Sequence, residues 1–168
     1  MIFKCTKKDV KRKNKKQPKH PTFRLIKLLV CANKKGKNMG MYTEIHFNSK
    51  LKKDVPQNII EILQYMVDLK KEPENLPEHE LFKCSRWSSL FVCDSYCFDA
   101  DTHSTFRFDD ISNTYCLCVR ANLKNYDSEI EKFINWIMPY LDKYEGNFLG
   151  FYRYRESEQP DLIYHKAN

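Results

Sequence analysis

Two stretches of this chain, offset by 72 residues, repeat one pattern. Ile45 aligns with Leu117, Phe47 with Val119, Leu51 with Leu123 and Lys52 with Lys124. Ile62, Met66 and Leu69 align with Ile134, Met138 and Leu141. In each stretch an alternating strand leads through a Leu-Lys exit and a polar capping residue into an amphipathic helix. An element that is apolar on one side must bury that side against another element. Two such units predict an α+β fold, with two helices on one face of a mostly antiparallel sheet of about five to six strands. That is a split-βαβ, ferredoxin-like duplication. Convergence is the other reading, because amphipathic elements of equal length match easily.

The first unit opens with Tyr42–Asn48, where Ile45 and Phe47 alternate with Glu44, His46 and Asn48. Asp54-x-x-Gln57 reads as a capping box with Pro56 in the first turn. Ile59, Ile62, Leu63 and Met66 follow at helical spacing, Lys70-Lys71 suits the C-terminal end, and Pro73 forbids continuation. Residues 72–83 read as a loop with two prolines. Strands are predicted over Leu90–Phe98, Thr105–Phe108 and Thr114–Ala121, with turns at Asp99–Thr102 and Asp109–Asn113. The second helix is predicted over about Ser128–Tyr144, with Ser128-x-x-Glu131 as its capping box. Its apolar stripe is Ile130, Phe133, Ile134, Ile137 and Leu141. Pro139 should kink or shorten it, and Gly146 should close it. Strands Phe148–Arg155 and Leu162–His165 complete the chain.

Charge divides the chain in two. Residues 1–40 carry 14 of the 29 Lys/Arg and one of the 22 Asp/Glu, a net +13. The remaining 15 basic and 21 acidic residues make the body −6. The run Lys7–Lys16 has too little apolar surface to offset its ordering entropy, so residues 1–40 are expected to be a disordered leader and residues 41–168 one compact domain. Lys35-Gly36-Lys37-Asn38-Met39 is compatible with a ribosome-binding sequence just upstream of Met39. This favours a start at Met39 or Met41, with the leader a mis-annotated start. A genuine basic arm for nucleic acid or an anionic surface is the alternative. The apolar run Leu25–Ala32 is broken by Lys27 and too short for a secretory core, and no stretch is long enough for a membrane span. Seven cysteines without a secretion signal read as reduced thiols in a cytoplasm.

If Ile45, Phe47, Leu117 and Val119 face the helices, the opposite sheet face carries His46, Asn48, Cys116, Cys118 and Arg120. That face either binds something or is a solvated sheet surface with two half-buried thiols. The late segment interleaves Phe148, Phe151, Tyr152, Tyr154 and Tyr164 with Arg153 and Arg155. Aromatic and arginine side chains anchor protein interfaces and also stack on bases. The plainer reading is a core face of Leu149 and Phe151 with an outer tyrosine row. The candidate binding residues are therefore His46, Cys116, Cys118, Arg120, Tyr152, Arg153, Tyr154 and Arg155.

No metal site is expected. Cys93 and Cys97, if on a strand, lie about 13 Å apart, and Cys116 and Cys118 are also poorly placed for the tight turn that structural zinc sites use. Asp99, Asp101 and His103 could form a divalent-ion or acid–base site in a hydrolase or nuclease. Aspartate is equally the ordinary turn residue. The four glycines fit no phosphate loop, and no cofactor is implied.

Segments "YTEIHFNSKLKKDVP", "CDSYCFDADTHS" and "NWIMPYLDKYEG", with "FLGFYRYRESEQPDLIY", give the body a resemblance to small uncharacterised proteins of phages and prophages of low-GC Gram-positive bacteria. The resemblance implies an accessory role in infection and carries no catalytic residues with it. The expectation is a non-catalytic cytoplasmic protein that binds a host protein. A nucleic-acid binder using the arm or the open sheet face is the alternative. If the leader adds nothing to the core, the 39–168 fragment melts cooperatively within about 4 °C of the full chain. Calorimetry on both checks this, and a fragment that melts without cooperativity refutes it.

Overall fold

The computed structural model describes residues 42–166. The expectations for the leader, its start site and its arm lie outside the described residues. In chain order the elements are β1 (Tyr42–Lys50), α1 (Gln57–Asp68), β2 (Thr105–Asp109), β3 (Thr114–Lys124), α2 (Glu129–Ile137), β4 (Phe148–Tyr154) and β5 (Asp161–Tyr164). Single 3-10 turns form at Glu80–Lys83, Trp87–Ser89 and Met138–Tyr140. No helix among the described residues is long and apolar enough to cross a membrane.

The five strands form one antiparallel sheet in the order β2-β3-β1-β4-β5. Each strand opposes its neighbour, so β1 and β2 run parallel with β3 between them, and β3 and β4 run parallel with β1 between them. Those are two split βαβ units, the expected α+β duplication, with β5 added at one edge. In the central pair Ile45 lies opposite Ala121 and Phe47 opposite Val119. Both helices bury their stripes in the same core as these residues: Ile59, Ile62, Leu63 and Met66 from α1, and Ile130, Phe133, Trp136 and Ile137 from α2. The Phe133 ring meets Phe47 edge-on at 5.5 Å and Phe91 at 5.0 Å. Full burial of each such side chain contributes about 1.5–3 kcal/mol.

The segment between α1 and β2 is part of the core. Leu81, Trp87, Leu90 and Phe91 are buried, and Phe82 packs edge-on against both Trp87 at 5.1 Å and Trp136 at 5.2 Å. Arg86 locks this segment to α2 through an ion pair with the buried Glu129, and it also donates to the Lys124 carbonyl.

The expected strand Leu90–Phe98 does not form; the segment is a series of turns. Its polar side chains capture backbone groups that a ladder would need. Asp94 Oδ1 accepts from the Ser95 amide at 2.8 Å, and Ser95 Oγ accepts from the Cys97 amide at 3.1 Å. Such local bonds compete directly with strand pairing. Neither expected capping box forms. The chain enters α1 through an extended Pro56, and no side chain caps the helix there. Ser128 is left-handed, with φ 54°, and Asn125 caps α2 instead by accepting from the Ile130 amide at 2.9 Å. α1 stops at Asp68 on a left-handed Leu69, ahead of the two lysines. α2 gives way to a 3-10 turn at Met138, one residue before Pro139, so the proline shortens the helix as expected. Gly146 (φ 80°) lies beyond it, in the turn that leads to β4.

The core face of Leu149 and Phe151 is also corrected. A register irregularity between Phe148 and Gly150 adds one residue to β4. Such a bulge resets the alternation. Leu149 stays in the core, but Phe151 lies opposite His46 on the other face, and Tyr152 lies opposite Ile45 on the helix side. Gly150 is the enabling residue. Its φ is 151°, and a Cβ there would collide with the His46 carbonyl of β1. Gly150→Ala should therefore cost about 2–4 kcal/mol from strain and overlap. Urea unfolding should show the loss as a lowered midpoint at unchanged slope, and an unchanged midpoint would refute the close approach.

Candidate functional site

Strand alternation builds the face opposite the helices as rows across the sheet. Asn122, Glu44 and Arg153 form one row, and Arg120, His46 and Phe151 the next. Cys118 and Asn48 follow, then Arg107, Cys116 and Lys50. The expected face of His46, Asn48, Cys116, Cys118 and Arg120 is therefore one surface.

Half of that surface is covered. Residues 93–103 run along the β3 edge, held by the Asn122 amide on the Cys93 carbonyl at 3.0 Å and the His103 amide on the Arg120 carbonyl at 2.8 Å. The segment folds over the first row: the Asn122 side chain donates to Asp94 and to the Ala100 carbonyl, and Phe98 lies 5.9 Å from the Arg153 guanidinium. Glu44 is buried beneath it. Its carboxylate accepts from Arg153 Nε at 2.7 Å and approaches His46 Nε2 at 3.5 Å. Asp94 clips the cover. The Ser95 amide first, then the Thr102 hydroxyl and the Asn122 amide, hold its carboxyl below the usual range.

The uncovered half is a concave basin of about 620 Å³. Its floor is His46, Asn48, Cys118, Arg120 and Phe151, and His103, Lys50, Lys143 and Phe148 stand around it. The His46 ring stacks on Phe151 with centroids 4.6 Å apart. No carboxylate among the described residues lines the basin. Lys50 is engaged outside it, by Asp109 at 3.3 Å and Ser112 at 3.0 Å. Arg120 is different: its Nε is buried with no hydrogen-bond partner among the described residues.

The remaining sequence candidates separate. Tyr152 and Tyr154 project to the helix side and line a small pocket of about 210 Å³ with Thr43, Asn125, Tyr126, Glu131 and Asp161. Burial first, then the nearby carboxylates, raises both phenols. Arg153 is spent on Glu44, and Arg155 is exposed beside the Cys97 thiol at 3.3 Å. Asp99 and Asp101 are exposed and do not line the basin that His103 borders, so the three do not converge there. Cys84, Cys93, Cys97, Cys116 and Cys118 are free thiols. Neither Cys93 nor Cys97 sits on a strand. No three His, Cys, Asp or Glu side chains among the described residues are grouped to hold a metal ion.

Sequence reasoning missed Lys50, His103, Lys143, Phe148 and Phe151 as basin residues. Extending the β1 alternation from His46 by four residues reaches Lys50. The bulge hid Phe151, and only the tertiary fold brings in His103 and Lys143. No protein-family model, curated protein or solved structure matches the chain.

Asp94 yields a pH prediction. Its folded pKa is lowered, so its contribution is present above the ordinary carboxylate pKa of about 3.9 and is lost as pH falls through the lowered value. Amide exchange at Ser95 and Cys97, corrected for the intrinsic rate, should accelerate in acid below that range. Asp94→Asn should flatten the dependence. Equal pH profiles for both proteins would refute the clip.

Proposed function

We propose that this chain is a small accessory protein of phage or prophage type that acts without catalysis in the host cytoplasm, by docking a host protein on the uncovered half of its sheet. The observation that carries the reading is the basin itself. It sets two aromatic rings, one of them the 56% exposed Phe148, beside a buried arginine nitrogen that has no acceptor among the described residues. Aromatic and arginine side chains in a concave, partly desolvated setting are the usual anchors of a protein interface. The cover over the first row supports it, because it leaves a bounded recess rather than a flat, fully hydrated sheet.

Chemistry inside the basin finds less support. No hydrogen bond among the described residues joins Cys118 to His46 or His103, and of the acid–base trio Asp99, Asp101 and His103 only His103 lines the basin. Nucleic-acid binding by the sheet face would need a row of cations along the phosphates. The basin offers Arg120 and Lys143, with Lys50 already paired, on a body of 15 basic and 21 acidic residues.

Affinity capture from host lysate tests the reading with two matched variants. The unmodified protein should retain one host protein at near-equal stoichiometry. Phe148→Ser should lose it, and Phe108→Ser, which removes an exposed ring 45% accessible on β2, should not. Truncating an interface anchor costs 2 kcal/mol or more, about thirtyfold in affinity. Capture of nucleic acid alone, or equal losses in both variants, would overturn the proposal.

A further inference from the structure

The basin also has a definite chemical preference, and this inference deepens the docking proposal on which it rests. We propose that the basin takes one carboxylate of its partner, with Arg120 as the principal donor and the stem of the acidic residue lying on Phe148 and Phe151.

Arg120 comes first. Arginine stays charged at any physiological pH and carries five N–H donors. In a folded chain a guanidinium this close to the sheet normally meets a carboxylate. Here the body has 21 acidic residues, and Glu44 lies one row away, yet Glu44 is given to Arg153 and His46. Arg120 forms no ion pair among the described residues, and its Nε–H is buried without an acceptor. The Nε–H is enclosed by the protein, so the donors an arriving carboxylate meets are the terminal amino groups of the guanidinium, which no hydrogen bond or ion pair among the described residues engages. Lys143 adds a second cation, and His46, His103 and Asn48 add further polar groups. Among the described residues no carboxylate lines the cavity. The basin thus offers two cations, Arg120 and Lys143, on a body in which acidic residues outnumber basic ones, which suits a single acidic group better than a polyanion.

Backbone chemistry decides between carboxylate and phosphoryl. Compact phosphate sites rely on several converging backbone N–H groups, from a helix N-terminus or a glycine-rich nest. The basin floor is the middle of a sheet, where the amides of β1, β3 and β4 are committed to their ladders. The donors that remain belong to side chains and suit two oxygens in a plane, the arrangement a guanidinium matches bidentately. The apolar side of the recess, formed by Phe148, Leu149 and Phe151, accepts methylene groups that a bare oxyanion would waste. The carboxylate can be a glutamate or aspartate side chain or a chain terminus, since all present the same atoms.

Proton-detected NMR of the arginine Nε–H groups in the full chain tests this without the partner. Four probes are titrated: a C-terminally amidated peptide with one internal glutamate, a peptide with a free C-terminus and no acidic residue, the glutamine analogue of the first, and inorganic phosphate. The expected result is a saturable shift of the Arg120 signal with one or both carboxylate peptides at a dissociation constant of about 1 mM or tighter. The glutamine analogue and phosphate should bind at least about tenfold more weakly. The first two arms tell a side chain from a terminus. Arg120→Gln should weaken carboxylate binding at least about tenfold. Should that variant fold poorly, Lys143→Gln at the rim should weaken it severalfold with the amide spectrum preserved, and Lys83→Gln, outside the basin, should leave it unchanged. Preference for phosphate, equal response to the glutamine analogue, no saturable shift, or binding indifferent to Arg120 and Lys143 would each overturn the inference. Loss of host-protein capture with carboxylate binding intact would instead sink the docking proposal alone.

Discussion

Strand β1 is paired along both edges, with β3 through nine residue positions and with β4 through five. A strand fixed on both sides cannot slip by one residue without turning its whole apolar set outward. Ile45 and Phe47 are held under the helices, and Glu44, His46 and Asn48 are held on the opposite face. Everything built on either side inherits that division. On one side are the aromatic contacts of Phe133, Phe91 and Phe47. On the other is the row in which Arg120, His46 and Phe151 stand together.

The second face is shaped by a difference between its two ends. Where Glu44, Asn122 and Arg153 stand, polar groups pair with one another and with the segment that crosses them. The buried Glu44 carboxylate there accepts from Arg153. One row further on the cover ends and the pairing stops. Arg120 lies opposite His46 and forms no ion pair among the described residues. A buried pair broken by removal of one partner is strongly destabilising, so Glu44 is held where it is and is not free to satisfy Arg120 as well.

Gly150 links the two faces. The extra residue in β4 lets Leu149 reach the core while Phe151 turns to stack on His46, and the close approach to β1 leaves no room for a side chain at position 150. A regular β4 would have placed both residues on one face and removed the aromatic floor from the basin.

The duplication of strand and helix, the antiparallel sheet and the core stripes of both helices were legible in the residue pattern, because amphipathic period and burial are local properties of sequence. So was the membership of the open face around His46, Cys118 and Arg120, since alternation along β1 and β3 is unbroken. The tertiary structure alone decided the rest. Leu90–Phe98 has the apolar and aromatic content of a strand, but Asp94 and Ser95 bond their own backbone, and Leu90 and Phe91 complete the core under the helices. The bulge at Leu149 carries no sequence mark except Gly150, whose role becomes visible only against the His46 carbonyl. Which charges are free is also a tertiary fact: Arg153 and Arg120 are equivalent in composition, and only the position of Glu44 pairs the first and leaves the second open. Periodicity specifies which side a residue faces, while the contacts between segments distant in sequence specify what it meets there.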